Sequence, residues 1–93
     1  MTAKVIRQFE EEHANGTTRR TLARNVDCVT APRRGDRLRL PDLEEELPVE
    51  HATIVAAIPD RPPTPPTPRV IMTLGVESAD RYARAVSLGW RTA

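Results

Sequence analysis

The stretch FEEEHANGTTRRTL, residues 9–22, decides the fold that the sequence predicts. At its centre, Asn15 and Gly16 both tolerate the positive φ that a type I′ hairpin turn requires. Charged and apolar residues flank this turn at matching distances, as they do in paired strands. The sequence therefore predicts a long antiparallel hairpin, with one strand at about 3–13 and its partner at about 17–29.

The register of this hairpin follows from the turn. If the loop consists of the Asn-Gly pair alone, Glu12 lies opposite Arg19 and Phe9 lies opposite Leu22. Opposite charges and apolar pairs placed in this way stabilise a ladder. A slip of one residue would turn the apolar side chains to the other face of the sheet. The pattern thus predicts both the pairing and the buried face.

Two arginines conflict with this register. Arg7 falls opposite Arg24 on the apolar face, where like charges repel and an unpaired guanidinium is costly to bury. One explanation is a β-bulge that rotates one side chain outward, or long stems that reach the rim. The other explanation is that the pair binds carboxylates of the 44–50 segment or an anionic ligand. Arg7 and Arg24 are therefore a candidate anion site.

An arginine-rich bend follows the hairpin in the stretch APRRGDRLRLP, residues 31–41. Pro32 ends the preceding strand, and Gly35 and Asp36 are residues that turns favour. Beyond the bend, leucine and arginine alternate strictly, which predicts a short strand at about 37–41 with its leucines on one face.

Two further strands and a helix complete the predicted elements. Alternating apolar residues predict strands at about 48–58 and 69–76. The intervening segment 59–68 is a proline-rich loop, because proline has no N–H to donate to a ladder. Ser78 is a suitable N-cap for a helix at about 78–88.

Together these elements predict a mainly β protein in which residues 1–93 form a single small domain. The expected architecture is a five-stranded antiparallel meander, curled into a small SH3-like barrel, with a C-terminal α-helix. An open sheet with the helix on one face is the alternative. Neither architecture identifies a function, because small barrels and sheets serve many functions.

Composition predicts a cytoplasmic protein that does not insert into a membrane. The one cysteine excludes an internal disulfide, the N-terminus lacks the apolar run of a secretory signal, and no apolar stretch reaches the roughly 20 residues that a bilayer requires. Arginine supplies all but one of the 14 basic residues. This bias is typical of GC-rich genomes and favours a bacterium or one of its phages as the source.

The charges are segregated along the chain although the net charge is only +1. Residues 16–41 are rich in arginine, whereas residues 42–60 contain acidic residues and no lysine or arginine. Such blocks attract each other, another protein, or a second copy of the chain. The predicted partner-binding residues are the charged side chains on either side of the boundary: Arg33, Arg34, Arg37, Arg39, Glu44, Glu45 and Glu46.

The reactive side chains do not form a recognisable catalytic or metal-binding pattern. Cys28 is predicted to lie on the apolar face, where a reduced cysteine behaves as a small hydrophobic residue. His13 and His51 lack the spacing of a zinc site, and the adjacent glutamates at 44–46 are not arranged as an acid–base pair. We therefore expect no enzyme activity, no metal and no cofactor.

The functional hypothesis from the sequence is a non-enzymatic module for protein interaction or assembly, such as a structural or accessory subunit of a bacterial or phage complex. Its partner would be another protein or further copies of the chain. The alternative is a small nucleic-acid-binding barrel that uses the arginines of residues 33–39. That alternative is less favoured because the predicted sheet offers no aromatic surface on which bases could stack.

Overall fold

A computed structural model describes residues 2–28, 30, 32–40, 46–55 and 69–92. The predicted proline-rich loop at 59–68 lies outside the described residues, as does the predicted end of the strand before it. The described part of the chain contains six strands, a short 3₁₀ helix and one α-helix. In chain order they are β1 (Thr2–His13), β2 (Gly16–Asp27), β3 (Arg37–Leu38), β4 (Leu47–Val55), β5 (Arg69–Ser78), the 3₁₀ helix (Ala79–Arg81), α1 (Tyr82–Ser87) and β6 (Arg91–Thr92).

The strands form one open, mixed sheet in the order β3-β4-β5-β1-β2-β6. The prediction of a mainly β fold with a C-terminal helix is confirmed. The prediction of an antiparallel meander is wrong, because β5 lies beside β1 and runs parallel to it. A parallel neighbour requires a long connection, and the chain between β1 and β5, which includes β2, β3 and β4, supplies it. Within the described residues the sheet does not close, so the SH3-like barrel is not found.

The β1–β2 hairpin forms with a register that differs from the predicted one by two residues. His13 lies opposite Gly16, so Ala14 and Asn15 form the loop. Gly16 has φ +135°, whereas Asn15 does not adopt a positive φ, so the predicted type I′ turn is wrong. A shift of two residues keeps every side chain on its predicted face.

The observed register removes the conflict between the two arginines of the hairpin. Arg7 lies opposite Leu22, and Arg24 lies opposite Val5. Their predicted direct opposition is therefore wrong. The physical reason is that each cation now faces an apolar side chain rather than a like charge.

A β-bulge in β5 changes which of its residues face the core. In the pairing of β1 with β5, Ile6 lies opposite Thr73 but Gln8 lies opposite Val76, so β5 contains one extra residue at this point. Beyond the bulge, the alternation is reversed. Val76 is therefore 40% exposed, although regular alternation along β5 would place it on the same face as Val70 and Met72, and Glu77 faces the core with 5% exposure.

The residue at this bulge is Gly75, and the neighbouring strand leaves too little space there for a side chain. A Cβ atom at Gly75 would lie 2.9 Å from Cγ of Pro48 in the neighbouring strand β4. The carbonyl oxygen of Leu74, also in the bulge, accepts a hydrogen bond of 2.8 Å from Nε2 of Gln8. A side chain thus satisfies a backbone group of the interrupted ladder.

The core lies on the sheet face that carries Val5 and Phe9, and the C-terminal segment covers part of it. Ala85 of α1 and Trp90 are almost fully buried there. Val86 of the same helix points away from the core and is 47% exposed. The buried apolar residues form one cluster: Ala3, Val5, Phe9, Leu22, Leu40, Leu47, Val49, Val70, Met72, Leu74, Ala85 and Trp90.

The C-terminal helical segment is shorter than the predicted helix at 78–88 and begins as a 3₁₀ helix. Ser78 is its N-cap, as the sequence predicts, and its Oγ accepts a hydrogen bond of 3.4 Å from the N–H of Asp80. At the other end, Gly89 has φ +99° and its N–H donates to the carbonyl of Val86. The left-handed glycine ends the helix and directs Trp90 back onto the sheet.

Candidate functional site

The arginine-rich bend is held by its own backbone and by one carboxylate. The N–H of Asp36 donates to the carbonyl of Arg33 over 3.0 Å, and Oδ2 of Asp36 accepts from the N–H of Arg33 over 2.9 Å. Gly35 has φ +93°, a conformation that favours glycine. The bend that the sequence predicts at this point is therefore present, and Asp36 is part of its structure.

The bend is also attached to strand β4. The N–H of Gly35 donates to the carbonyl of Val49 over 2.9 Å, and the N–H of Val49 donates to the carbonyl of Asp36 over 2.7 Å. Strand β3 then pairs with β4 over Arg37–Leu38 alone, which is shorter than the predicted 37–41. Its partner opposite Arg37 is Pro48, which has no N–H for a ladder.

Four exposed arginines lie on the bend, in β3 and directly after β3, and we call them the arginine edge: Arg33, Arg34, Arg37 and Arg39. None of the four has an ion pair with another described residue. The nearest carboxylate in sequence, Asp36, is committed to the bend. The edge therefore presents four guanidinium groups that are not paired with a described carboxylate.

The acidic members of the predicted partner-binding set are described only in part. Glu46 is exposed immediately before β4. Glu44 and Glu45 lie outside the described residues. Binding of a partner by these glutamates stays a prediction.

A cleft of about 480 Å³ lies beside the arginine edge. Apolar side chains from three parts of the fold line it, including Val26 at the end of β2, Leu38 in β3 and Val49 in β4. Arg37 and Arg39 also line it, and Cys28 contributes a half-buried thiol. This cleft is continuous with the core, since Val49 belongs to the buried cluster and Val26, Cys28 and Leu38 pack against it.

A buried ion pair lies at the other end of the core. Arg7 donates from Nε to Oε2 of Glu77 over 2.9 Å and from Nη2 to Oε1 over 2.8 Å. The Arg7 and Glu77 side chains are 5% and 1% exposed. Bidentate binding is the strongest form of an arginine–carboxylate contact. Because both side chains are buried, loss of either one would leave the other as an unpaired buried charge.

Two aromatic rings enclose the guanidinium of Arg7. Its central carbon lies 5.2 Å from the Phe9 ring centroid and 4.9 Å from the Trp90 ring centroid. Both distances are within the range of cation–π attraction. The third nitrogen, Nη1, is buried and makes no hydrogen bond to a described residue. Arg7 thus links the first strand, the fifth strand and the C-terminal segment.

The structure does not place Arg7 and Arg24 on a common carboxylate or in one fork. Arg24 is exposed, and its Nη1 donates to the carbonyl of Leu88 over 3.3 Å. Arg7 binds Glu77 rather than a residue of the 44–50 segment. The two arginines therefore have separate roles, and an external anion at them stays a prediction.

Sequence reasoning did not identify Glu77 and Trp90 as partners of Arg7. A strict alternation along β5 places Glu77 on the outer face, and only the bulge brings it inward. Gly75 was the available signal, because an isolated glycine in a strand often marks a bulge or a close approach. In this structure it marks both.

The remaining side chains that could act in catalysis or metal binding lie apart from one another. His13 is exposed near the hairpin loop, with Nε2 3.9 Å from Oε2 of Glu11, and His51 is exposed in β4. Cys28 packs against the core, as predicted. Within the described ranges, no three side chains of the metal-binding types lie together. Among the same residues, no helix has the length and apolar character needed to cross a bilayer.

No protein-family model, curated protein or solved structure shows a significant match to this chain.

Proposed function

We propose that this chain is a non-enzymatic interaction module that binds an acidic protein surface through the arginine edge. The partner is another protein in an assembly or a second copy of the chain. The cytoplasm, in a bacterial or phage setting, is the location that the composition favours. The expectation that the chain is not an enzyme is part of the same proposal.

One observation carries the proposal. The four exposed arginines of the arginine edge form no ion pair with a described residue, and the bend is fixed to β4 by two backbone hydrogen bonds. A rigid bend limits the entropy lost when a partner binds. Planar guanidinium groups at such a site suit carboxylates, which they can bind in a bidentate manner.

Carboxylates are favoured over nucleic acid because the aromatic side chains are engaged inside the fold. Phe9 and Trp90 are buried, and Tyr82 packs edge-on against Phe9 with ring centroids 5.5 Å apart. Proteins that bind single strands commonly stack bases on exposed aromatic rings. The net charge of +1 is also low for a protein whose main partner is a polyanion.

A second copy of the chain is a suitable acidic partner. Residues 42–60 hold acidic side chains and no lysine or arginine, so the sequence contains a counterpart to the arginine edge. Size-exclusion chromatography with light scattering, run at low and high salt, shows whether the chain associates with itself. A monomer under both conditions leaves a different protein as the partner.

The direct test uses fluorescence anisotropy with a labelled Glu-Gly repeat peptide at physiological ionic strength. The variant Arg37→Gln/Arg39→Gln is compared with Arg84→Gln/Arg91→Gln, which removes the same charge from exposed positions outside the edge. We expect the first variant to bind about tenfold more weakly, since two exposed ion pairs contribute roughly 1.4 kcal/mol together. The control should change by less than about twofold.

The same experiment includes a labelled single strand and a duplex of DNA. Non-specific contacts to phosphate weaken steeply with salt, so the comparison is repeated at about 0.2 M salt. DNA binding that persists there and depends on Arg37 and Arg39, with no binding of the acidic peptide, would replace the proposal with the nucleic-acid alternative.

A further inference from the structure

The cleft beside the arginine edge combines apolar walls with a charged opening. Its volume of about 480 Å³ falls in the range of roughly 300–1,000 Å³ typical of ligand sites. The apolar lining comes from the half-buried or buried residues Val26, Pro32, Leu38, Leu40 and Val49. A group that enters such a cleft removes apolar surface from water and is favoured for that reason.

The charged side chains at the opening determine which charge a ligand should carry. Two carboxylates and two guanidinium groups line the cleft. Asp36 accepts the hydrogen bond that closes the bend, and Oδ1 of Asp27 accepts a hydrogen bond of 3.2 Å from Thr2. Arg37 and Arg39 have no ion pair with a described residue. These hydrogen bonds do not remove the charge of the two carboxylates, so the lining itself is formally neutral. Arg33 and Arg34 on the adjoining bend bring the opening to four guanidinium groups against two carboxylates, a net charge of +2.

We propose that this cleft receives an apolar side chain of a partner segment whose flanking carboxylates bind Arg37 and Arg39. The inference rests on the proposed function and makes it more specific. The arginine edge alone would accept any acidic surface, whereas the cleft requires an apolar residue between the acidic ones. A leucine-sized side chain fits within the volume, and its burial adds an attraction that salt does not screen.

Labelled peptides separate the contribution of the buried leucine from that of the flanking carboxylates. The first probe is a Glu-Gly repeat with a central Leu, the second has Gly at the centre, and the third has the central Leu in a Gln-Gly repeat. We expect the first probe to bind about tenfold more tightly than the second, because a leucine side chain leaves water. The third probe, which lacks carboxylates, should bind more weakly than the first.

A variant of the cleft wall tests the position of the leucine. Leu38→Gln should remove the preference for the central-Leu probe over the central-Gly probe. Leu88→Gln is the matched control, because Leu88 is 39% exposed and does not line the cleft. Circular dichroism shows whether each variant folds.

Labelling of Cys28 provides a readout in the unmodified protein. Because the thiol lines the cleft, the central-Leu probe should slow its reaction with N-ethylmaleimide, and the central-Gly probe should not. This measurement keeps the proposal testable even if Leu38→Gln fails to fold.

Three results would overturn the inference in distinguishable ways. Equal binding of the central-Leu and central-Gly probes, with no protection of Cys28, would leave the arginine edge as a binding surface without an apolar anchor. Loss of arginine-dependent binding for both acidic probes would end the proposed function itself. Tighter binding of the central-Leu probe that is seen only in the triple variant Asp42→Asn/Glu44→Gln/Glu45→Gln would have a different meaning. It would show that the chain's own acidic segment occupies the cleft in the unmodified protein.

Discussion

Arg7 shows how one charged residue in an apolar strand determines a set of contacts. Its guanidinium binds Glu77 through two nitrogens and lies between Phe9 and Trp90. A buried charge without its partner is far more costly than the intact pair. The stability of this end of the core therefore depends on both partners being present.

We predict that Glu77→Leu destabilises the protein by about 3–5 kcal/mol, because it leaves the Arg7 cation buried without a carboxylate. Arg7→Met should cost less, since Glu77 keeps Arg81 with Nη1 at 3.8 Å from Oε1. Urea unfolding followed by circular dichroism measures both free energies.

The double variant Arg7→Met/Glu77→Leu completes this comparison. It should be more stable than Glu77→Leu alone, because apolar residues replace both charges. If the two single losses simply add in the double variant, the ion pair has no coupling energy and this account of Arg7 is wrong. The partly exposed partner supplies a control, as Arg81→Gln should cost less than about 1 kcal/mol.

The sequence could predict that Arg7 needs a partner, but not which residue supplies it. The alternation of β1 places Arg7 on the same face as Val5 and Phe9, and the structure confirms this. The partner depends on a bulge in a strand that is distant in sequence. Alternation rules apply within one regular strand, and a single extra residue reverses them.

At the level of the elements, the bulge in β5 depends on close contact between two strands. The absence of a side chain at Gly75 allows Pro48 of β4 to approach. Gly75→Ala should destabilise the protein by about 1–3 kcal/mol, since its Cβ would lie 2.9 Å from Cγ of Pro48 and one strand must shift.

Removing the opposing ring tests the cause of that loss. Pro48→Ala deletes the Cγ and Cδ atoms that a Cβ at Gly75 would meet. The double variant Gly75→Ala/Pro48→Ala should therefore lose less stability than the sum of the two single variants, as measured by urea unfolding. Strict additivity would show that the cost at Gly75 arises from its backbone rather than from the contact.

The elements themselves were predictable where local chemistry determines them. The hairpin, the bend at Gly35 and Asp36, and the N-cap at Ser78 are all present, because turns and caps depend on a few adjacent residues. The hairpin register was less predictable. Charge matching favoured Glu12 opposite Arg19, whereas the structure pairs Glu10 with Arg19 and so separates Arg7 from Arg24.

At the scale of the whole molecule, the order of the strands could not be read from the sequence. β5 follows β3 and β4 in the chain but lies beside β1, with β4 and β3 on its other side toward one edge of the sheet. Such a pairing joins residues distant in sequence, and no local pattern marks it. The candidate site shows the same limit. The arginines were identifiable from their spacing, but the cleft beside them is formed by β2, β3 and β4 together.

A measurement of stability can show whether the arginine edge stabilises the fold or serves to bind a partner. Four like charges close in sequence repel each other, and none of these four is paired with a carboxylate in the described part of the chain. Replacing two of them, as in Arg37→Gln/Arg39→Gln, should therefore leave the free energy of unfolding unchanged or raise it by a few tenths of a kcal/mol. Any gain should shrink as salt screens the repulsion.

Urea unfolding at about 0.05 and 0.5 M salt measures this effect in the same variant that tests binding. A protein that keeps these cations for a partner should become no less stable, yet bind more weakly, when they are removed. A loss of more than about 1 kcal/mol at low salt that disappears at high salt would have the opposite meaning. It would show that the chain's own carboxylates neutralise Arg37 and Arg39, so that the edge stabilises the fold instead of binding a partner.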